Sequence, residues 1–200
     1  DTVLSRGLGD VYKRQLIESI FREYDIRGIF PDELNEDSIA KIAQSIAHKC
    51  NKESVDEVVI ARDGRLSGPS LLESLQKSLN ANGINTINLG LATSPLLYYA
   101  AKKQPSKSGI MITGSHNPKN YNGIKLVIDD KPVSGTEIFG LSKTDISSGD
   151  SKGENRFLDI KDDYITEVKN SFNFKKFKVV IDCGNGAAGI IAPDLSLIHI

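Results

Sequence analysis

Residues 109–118 read Gly-Ile-Met-Ile-Thr-Gly-Ser-His-Asn-Pro, a short apolar run followed at once by small and polar residues. The apolar residues 110–112 predict a buried strand, because a short apolar run bounded by turn-forming residues is typical of interior strands. We expect Gly114 to adopt a backbone conformation closed to larger residues, and Pro118 to end the backbone pairing. Ser115 is therefore expected at the carboxyl end of a buried strand, where open α/β sheets bind their ligands.

The hydroxyl of Ser115 needs help to act as a nucleophile, because serine is weakly nucleophilic at neutral pH. A neighbouring base or cation supplies that help, and His116, Asn117 and Lys125 are close to it in the sequence. A second interpretation is structural: Ser115 caps a turn or helix, His116 is solvated, and the glycine and proline only shape the loop. The polar cluster by itself leaves both interpretations open.

The amino-acid sequence of this segment resembles a motif of a known protein family. Thr-Gly-Ser-His-Asn-Pro at 113–118, followed by Tyr-Asn-Gly-Ile-Lys at 121–125, is similar to the phosphoserine loop of the α-D-phosphohexomutases. Its Thr-Gly form most resembles the bacterial phosphomannomutase/phosphoglucomutase branch. Four more segments are similar to motifs of that family, in the same order: FREYDIRG at 21–28, ARDGRLS at 61–67, GLATSP at 90–95 and VVIDCGNGAAG at 179–189.

This resemblance implies an enzyme in which phosphorylated Ser115 gives its phosphoryl group to a hexose 1- or 6-phosphate, and the resulting bisphosphate returns the other phosphate to the serine. It also implies Mg²⁺ in contact with an oxygen of the phosphoserine, so that Ser115 is the metal-site residue of this chain. Arg27 and Lys125 are expected to neutralise charge on the transferred group, and His116 to shape the loop or assist proton transfer. The predicted catalytic residues are Ser115, His116, Lys125 and Arg27, and the predicted substrate-binding residues are Tyr24, Arg27, Asn117 and Lys125.

Parts of the family pattern have no counterpart in these 200 residues. They are the Asp-Gly-Asp-Gly-Asp metal loop, the later sugar-recognition loop and the C-terminal phosphate-binding loop. We do not expect Asp129 and Asp130 to replace the missing metal ligands. The choice between mannose and glucose phosphates is therefore left open, and a phosphoglucosamine mutase remains an alternative.

Two other classes of function compete with a mutase. A serine hydrolase would use Ser115 as an acyl nucleophile, but Ser115 does not lie in a Gly-x-Ser-x-Gly elbow. Adjacent serine and histidine side chains also do not readily form the hydrogen bond from nucleophile to base. A non-catalytic phosphosugar-binding module would use the same loop for binding alone. Detection of a stable phosphoserine would separate the mutase from both.

Composition and charge are those of an ordinary globular chain, since 39% hydrophobic and 26% charged residues allow 200 residues to bury a sizeable core. A net charge of −1 argues against a broad nucleic-acid surface, and no apolar run has the length of a membrane span or a signal peptide. Cys50 and Cys183 lack metal-ligand spacing, so we expect reduced core residues and a cytoplasmic protein. The expected partners are hexose phosphates, without nucleic acid or membrane, and the parent protein is expected to be a monomer.

Alternating helical and strand patterns predict an α/β fold with a layered α/β/α N-terminal domain. Asn35 or Asp37 is expected to cap the first helix, Gly83 to end the second, and Pro95 to lie in the first turn of the third. The predicted helices span 35–51, 70–81 and 94–103, the predicted strands 55–61, 84–89 and 110–112, and a predicted hairpin joins 123–128 to 131–133.

Five segments are predicted along the chain. Residues 1–15 and 194–200 resemble translated sequencing-adapter or assembly read-through, so we expect non-native tails there and leave both out of the fold prediction. The alternative is a floppy N-terminal arm and a natural C-terminal strand. Residues 16–145 are expected to form domain I with the phosphoserine loop, and the Ser-, Gly- and charge-rich residues 146–156 a linker. Residues 157–193 are expected to be the beginning of a similar domain II, so that the fold is cut off soon after this second domain starts.

The predicted start of domain II contains a helix, a strand and a glycine-rich turn. Apolar residues from Ile160 to Phe172 recur at helical spacing. Residues 178–182 are expected to form a buried strand that leads into the sequence GNGAAG at 184–189. That turn either binds phosphate through backbone amides at a helix N-terminus or packs a strand tightly against a helix.

Overall fold

A mixed β-sheet runs through the protein, and its strand order sets the position of every loop near Ser115. The computed structural model describes residues 16–144, 152–172 and 178–196, and within these ranges the sheet has seven strands. Their spatial order is β1-β5-β4-β2-β3-β7, with β6 paired to β5. In chain order they are β1 (Ile26–Ile29), β2 (Glu57–Arg62), β3 (Asn85–Leu91), β4 (Gly109–Ile112), β5 (Tyr121–Ile128), β6 (Lys131–Pro132) and β7 (Asn155–Phe157).

The strands differ in direction, and this brings several loops to one edge. Strands β4, β2, β3 and β7 are parallel, whereas β5 is antiparallel to its neighbours β1 and β4. The carboxyl ends of β2, β3 and β4 therefore meet at the same edge of the sheet, which is the edge where parallel sheets bind ligands.

Helices cover both faces of the sheet. Asn35 caps the first of them: its side chain accepts a hydrogen bond from the Ser38 backbone N–H at 3.0 Å, and the Ser38 hydroxyl accepts one from the Asn35 N–H at 2.8 Å. The three predicted helices are confirmed, and Gly83 follows the second with a φ of +83°. In the described ranges the helices are α1 (Glu36–Lys52), α2 (Gly68–Ala81), α3 (Ser94–Lys103), α4 (Gly135–Ser142), α5 (Lys161–Ser171) and α6 (Ala192–Ser196).

Side chains of each central strand alternate between two apolar cores, as the period of a strand requires. On β2, Val58 and Ile60 enter a core formed with α1, α2 and α4, whereas Val59 and Ala61 enter a core formed with α3 and α5. On β4, Met111 faces the second core, and its neighbours on either side face the first. The predicted layered α/β/α architecture is therefore confirmed.

The predicted hairpin around Asp129 and Asp130 is also confirmed. Strands β5 and β6 pair antiparallel across these two residues, whose φ values are +50° and +61°. Two consecutive left-handed residues give the turn a twist that matches the twist of the paired strands, and aspartate is among the residues that tolerate this conformation.

The region from residue 155 onward departs from the sequence predictions at two points. Strand β7 pairs in parallel with β3, so the end of the predicted linker 146–156 belongs to the sheet; residues 145–151 lie outside the described residues. The predicted buried strand at 178–182 is wrong, because these residues form no strand and Val180 is 99% exposed. Neither a pairing strand nor a covering layer is present for this segment among the described residues, and a buried strand needs both.

Helix α5 confirms the predicted helix and packs against α3. The rings of Tyr99 and Tyr164 meet edge to face with their centroids 5.1 Å apart, and the Glu167 carboxylate accepts hydrogen bonds from the Tyr99 hydroxyl at 2.9 Å and from Lys103 at 2.6 Å. Hydrogen bonding from Lys103 and then from Tyr99 lowers the pKa of Glu167. In α6, Asp194 forms an ion pair with Lys161 at 2.5 Å. Residues 1–15 and 197–200 lie outside the described residues, and the proposed division into domains and tails stays a prediction.

The two cysteines have different surroundings. Cys50 lies in the first core, where burial raises the pKa of its thiol to about 12. Cys183 is only half-buried, so the predicted core position is correct for Cys50 and wrong for Cys183. Both thiols are free. None of the helices in the described ranges has the length and apolar character needed to cross a membrane.

Candidate active site

Ser115 lies on the loop between β4 and β5, exposed at the sheet edge that the sequence predicts. Its backbone has a φ of +52°, in the left-handed region that serine rarely adopts. The Ser115 N–H donates to the Thr113 hydroxyl at 2.9 Å, and its Oγ lies 3.3 Å from Nδ1 of His116. Adjacent serine and histidine side chains therefore do come within hydrogen-bonding distance, contrary to the expectation from sequence.

The predicted special backbone conformation of Gly114 is wrong. Its φ lies outside the left-handed region, and the special backbone conformation belongs to Ser115. Space at 114 is limited instead, because a Cβ there would overlap the guanidinium group of Arg65, which would then have to move. A left-handed serine next to a crowded glycine indicates a loop whose shape is imposed by its surroundings.

Arg65 supplies most of those surroundings. Its Nη1 donates to the carbonyl oxygens of Pro118 at 2.6 Å and Tyr121 at 2.8 Å. Its Nη2 donates to the carbonyl oxygens of Ser115 at 3.0 Å and Asn117 at 2.6 Å. One side chain thus binds three backbone carbonyls of the loop and that of Tyr121 at the start of β5, although it lies about 50 residues earlier in the sequence.

Asp63 completes the attachment of the loop to β2. Its Oδ2 accepts hydrogen bonds from the Thr113 hydroxyl at 2.8 Å and from the Gly114 N–H at 3.2 Å, and lies 3.4 Å from Nε of Arg65. Its Oδ1 accepts a hydrogen bond from the Arg65 backbone N–H at 3.0 Å. Asp63 and Arg65 reach the loop because they follow β2, the neighbour of β4. Both residues belong to the segment ARDGRLS at 61–67, but the sequence alone did not indicate a role for either.

The two predicted cations, Arg27 and Lys125, meet at a third residue that sequence reasoning did not assign. The buried carboxylate of Asp25 pairs with Arg27, and the same Oδ2 lies 3.8 Å from the Lys125 ammonium. Lys125 is opposite Met111 in the β4–β5 pair, and Arg27 is opposite residue 123 in the β1–β5 pair. The side chains of Arg27, Lys125 and Met111 therefore share one face of the sheet.

The other predicted residues have distinct settings. Tyr24 is 80% exposed. Asn117 shapes the loop, because its side-chain amide donates to the Gly114 carbonyl oxygen at 2.9 Å. His116 is exposed beside Ser115, and the described residues provide no carboxylate hydrogen-bonded to its ring. That pair therefore lacks the third group that orients the histidine in a serine hydrolase.

A cavity of about 550 Å³ opens beside Ser115. The loops that follow β2, β3 and β4 form one wall, which includes Lys119. Met111 of β4 adds to this wall from the face of the sheet that carries Arg27 and Lys125. Residues 184–187 of the glycine-rich turn form the facing wall, and a short 3₁₀ segment, Ala187–Ile190, follows them instead of an α-helix. The cavity has the size of a small-molecule site. In the described part of the chain no three His, Cys, Asp or Glu side chains cluster as a metal site.

These features define an α/β/α domain that presents a fixed serine to a cleft at the ends of parallel strands. The chain belongs to the phosphoglucomutase/phosphomannomutase family, whose α/β/α domain I model matches residues 18–140.

Individual relatives agree with this assignment. The chain is 41% identical to a phosphomannomutase/phosphoglucomutase of Pseudomonas syringae over 183 residues, covering 90% of this chain and 39% of the relative. It is 37% identical to a phosphoglucomutase of Neisseria gonorrhoeae, covering 90% of this chain and 40% of the relative. A crystal structure of a family member from Burkholderia thailandensis superimposes with a TM-score of 0.84 at 33% identity, covering 92% of this chain and 43% of that one. The chain spans about 40% of the length of the curated relatives it matches.

Proposed function

We propose that this chain is the first part of a phosphohexomutase that interconverts hexose 1-phosphates and hexose 6-phosphates of mannose, glucose or both. The observation that carries the proposal is Ser115: its hydroxyl is exposed on a loop held by Arg65 and opens onto a cavity at the sheet edge. The named relatives support the substrate class. A covalent phosphate carrier needs a hydroxyl in a fixed position, and this loop provides one.

The proposed reaction transfers a phosphoryl group twice. First, a hydroxyl oxygen of the sugar phosphate attacks the phosphorus carried by Ser115, so that a new O–P bond forms and the P–Oγ bond breaks. The sugar hydroxyl loses its proton and Oγ gains one. The bisphosphate then turns over, Oγ attacks the other phosphorus and loses its proton, and the freed sugar oxygen is protonated. We assign the proton transfer to His116, whose Nδ1 lies 3.3 Å from Oγ.

Cations are expected to stabilise the charge on the transferred group, since phosphoryl transfer depends on positioning and electrostatics more than on covalent chemistry. We assign this role to Lys125 and Arg27. One carboxylate, Asp25, faces both of them, so the three side chains together carry one net positive charge. Tyr24 and Asn117 complete the proposed substrate-binding set; Tyr24 is exposed, and Asn117 lines the cavity.

Mg²⁺ is the proposed cofactor, but the described residues do not form a complete site for it. The phosphate on Ser115 would supply one oxygen ligand, which is the hard donor type that Mg²⁺ prefers. We propose that the remaining protein ligands lie outside the described residues, and no step of the proposed reaction is assigned to the ion. We also propose a cytoplasmic monomer without a nucleic-acid or membrane partner.

Turnover tests the proposal in a longer protein that carries this chain. Purified protein should convert glucose 1-phosphate or mannose 1-phosphate to the 6-phosphate, and Ser115→Ala should abolish the conversion. Ser171→Ala is the matched control, because the exposed Ser171 hydroxyl donates within its own helix, to the Glu167 carbonyl oxygen at 2.7 Å. The 200-residue chain alone should show no turnover.

Other outcomes separate the alternatives. Conversion of glucosamine phosphate in preference to the other sugars would replace the proposed substrate with that of a phosphoglucosamine mutase. Full turnover by Ser115→Ala would contradict the covalent role of Ser115. Sugar-phosphate binding without turnover by the longer protein would favour the non-catalytic module.

A further inference from the structure

We infer that Arg65 is a positioning residue for the serine loop and does not bind the substrate phosphate. The inference rests on the proposed function, because the loop has a role only if Ser115 carries the phosphoryl group. An arginine at the edge of a phosphosugar cavity would ordinarily be assigned to the substrate. The hydrogen bonds of this one point to a different role.

The donors of Arg65 are already in use. A guanidinium group has five N–H donors and no acceptor. Four of the donors go to backbone carbonyls of the loop and of the adjoining first residue of β5, at 2.6 to 3.0 Å. Nε, which carries the fifth, lies 3.4 Å from Oδ2 of Asp63. An incoming phosphate would therefore have to displace existing bonds before it could bind this side chain.

The position of the guanidinium also explains the shape of the loop. It occupies the space of a Cβ on Gly114 and binds the carbonyl oxygen of Ser115, the residue with left-handed φ. An unusual backbone conformation costs on the order of 1–3 kcal/mol and persists only where surrounding contacts impose it. Arg65 and Asp63 are the side chains that make such contacts on both sides of this residue.

Lysine is a poor substitute at this position. It has one ammonium group on a flexible stem and cannot place donors on four carbonyls as a planar guanidinium does. If Arg65 instead provided only positive charge to a phosphate, Arg65→Lys would keep most of the activity. The two roles therefore predict different results for the same conservative substitution.

The first experiment measures steady-state kinetics in the longer protein for wild type, Arg65→Lys and Arg65→Ala. We expect kcat to fall by roughly 100-fold in Arg65→Ala and to stay at least about 10-fold low in Arg65→Lys, because a misplacement of about 1 Å has effects of this size. KM should change little, since the sugar phosphate keeps its contacts. Methylguanidinium added to Arg65→Ala should restore part of kcat. A loss confined to KM, or wild-type kinetics in Arg65→Lys, would overturn the inference.

A double-mutant cycle adds a test that a general loss of folding would not mimic. Gly114→Ala should lower kcat strongly when Arg65 is present, because the new Cβ overlaps the guanidinium. In the Arg65→Ala background the same substitution should lower kcat much less, since the overlap is gone. Equal effects in both backgrounds would contradict the proposed contact. Arg156→Ala is the control, because Arg156 pairs with Glu57 and lies on β7, far across the sheet from the loop.

Amide hydrogen exchange distinguishes failure of this inference from failure of the proposed function. In the 200-residue chain, Arg65→Ala should speed exchange at Asn117 and Tyr121, whose amides bond within the loop, and leave β4 unchanged. Faster exchange in the loop alone, together with an inactive wild-type enzyme, would support the positioning role and reject the mutase. Unchanged exchange in the loop would reject the positioning role, whatever the activity.

Discussion

The sheet with its first four helices and the region from residue 155 onward are packed in different ways. Seven residues of α1 are buried, whereas no residue of α5 is. The first region joins strands and helices through two apolar cores, but the second region is attached through β7, a few apolar side chains and polar pairs such as Lys103 with Glu167. Ser115 therefore lies on the strongly packed side of its cavity, and the glycine-rich turn on the weakly packed side.

The difference in packing indicates which wall of the cavity is held more firmly in position. The serine loop is bonded to β2 through Asp63 and Arg65, and β2 is buried on both faces. Residues 184–187, on the facing wall, follow a segment whose Val179 and Val180 are largely exposed. We therefore expect the serine to keep its position if the facing wall moves, as the proposed entry and release of sugar phosphates would require.

Core substitutions should give the largest difference between the two regions, measured as the loss in the free energy of unfolding. Ile60→Ala should lower the free energy of unfolding by about 2–5 kcal/mol, because Ile60 is fully buried on β2 and its removal leaves a cavity. Ile165→Ala on α5 is the matched change in the second region and should cost about 1 kcal/mol, since Ile165 is half-buried. Urea denaturation followed by circular dichroism measures both. Equal losses would show that the two regions are equally important for stability.

A substitution at the proposed active site should separate activity from stability. In the longer protein, Lys125→Ala should lower kcat by roughly 100- to 1000-fold, the cost of removing one preorganised electrostatic contact. Stability should fall by about 1 kcal/mol or less, because Asp25 keeps Arg27 as a partner when the lysine is gone. Kinetics at saturating sugar phosphate and Mg²⁺, with the thermal midpoint, measure both effects. Lys77→Ala on the exposed face of α2 is the control, and an unchanged kcat for Lys125→Ala would make that lysine a surface residue.

The smallest effect concerns the contact between α3 and α5, and it depends on pH. The folded pKa of Glu167 is below its ordinary value of 4.5 because Lys103 and Tyr99 donate to the carboxylate. The stabilisation is therefore present above that ordinary value and is lost as the pH falls through the lowered folded pKa. Once exchange rates are corrected for the intrinsic effect of pH, amide protection in α5 should fall over that range while protection in β4 stays constant. Glu167→Gln should remove the pH dependence, and its persistence in that variant would assign it to another group.

The sequence was sufficient for the first three helices and the central strands because their signals are local, whereas β1 and α4 were not predicted. Apolar spacing predicted α1, α2 and α3, and the run at 110–112 predicted β4, since periodicity within one element decides which face it buries. The same local rules failed at residues 178–182, where an apolar run has no partner strand among the described residues. An apolar run shows that a strand is favoured, but pairing partners decide whether it forms.

The candidate site could be predicted only in part, because its geometry depends on residues far apart in the chain. Ser115 was found from its loop, and its place at a strand end is correct. The roles of Asp25, Asp63 and Arg65 were missed because each depends on a residue 50 or more positions later, or on two cations that meet at one carboxylate. The left-handed conformation was expected at Gly114 and is found at Ser115, because crowding by Arg65 has no local signature.

The location of phosphate on the chain tests the central claim most directly. The longer protein should be purified from cells, digested, and examined by phosphopeptide mass spectrometry, before and after incubation with a hexose 1,6-bisphosphate. We predict phosphate on the peptide that contains Ser115, higher after the bisphosphate and absent in Ser115→Ala. Phosphate found consistently at another residue, with Ser115 unmodified in an active enzyme, would contradict the account.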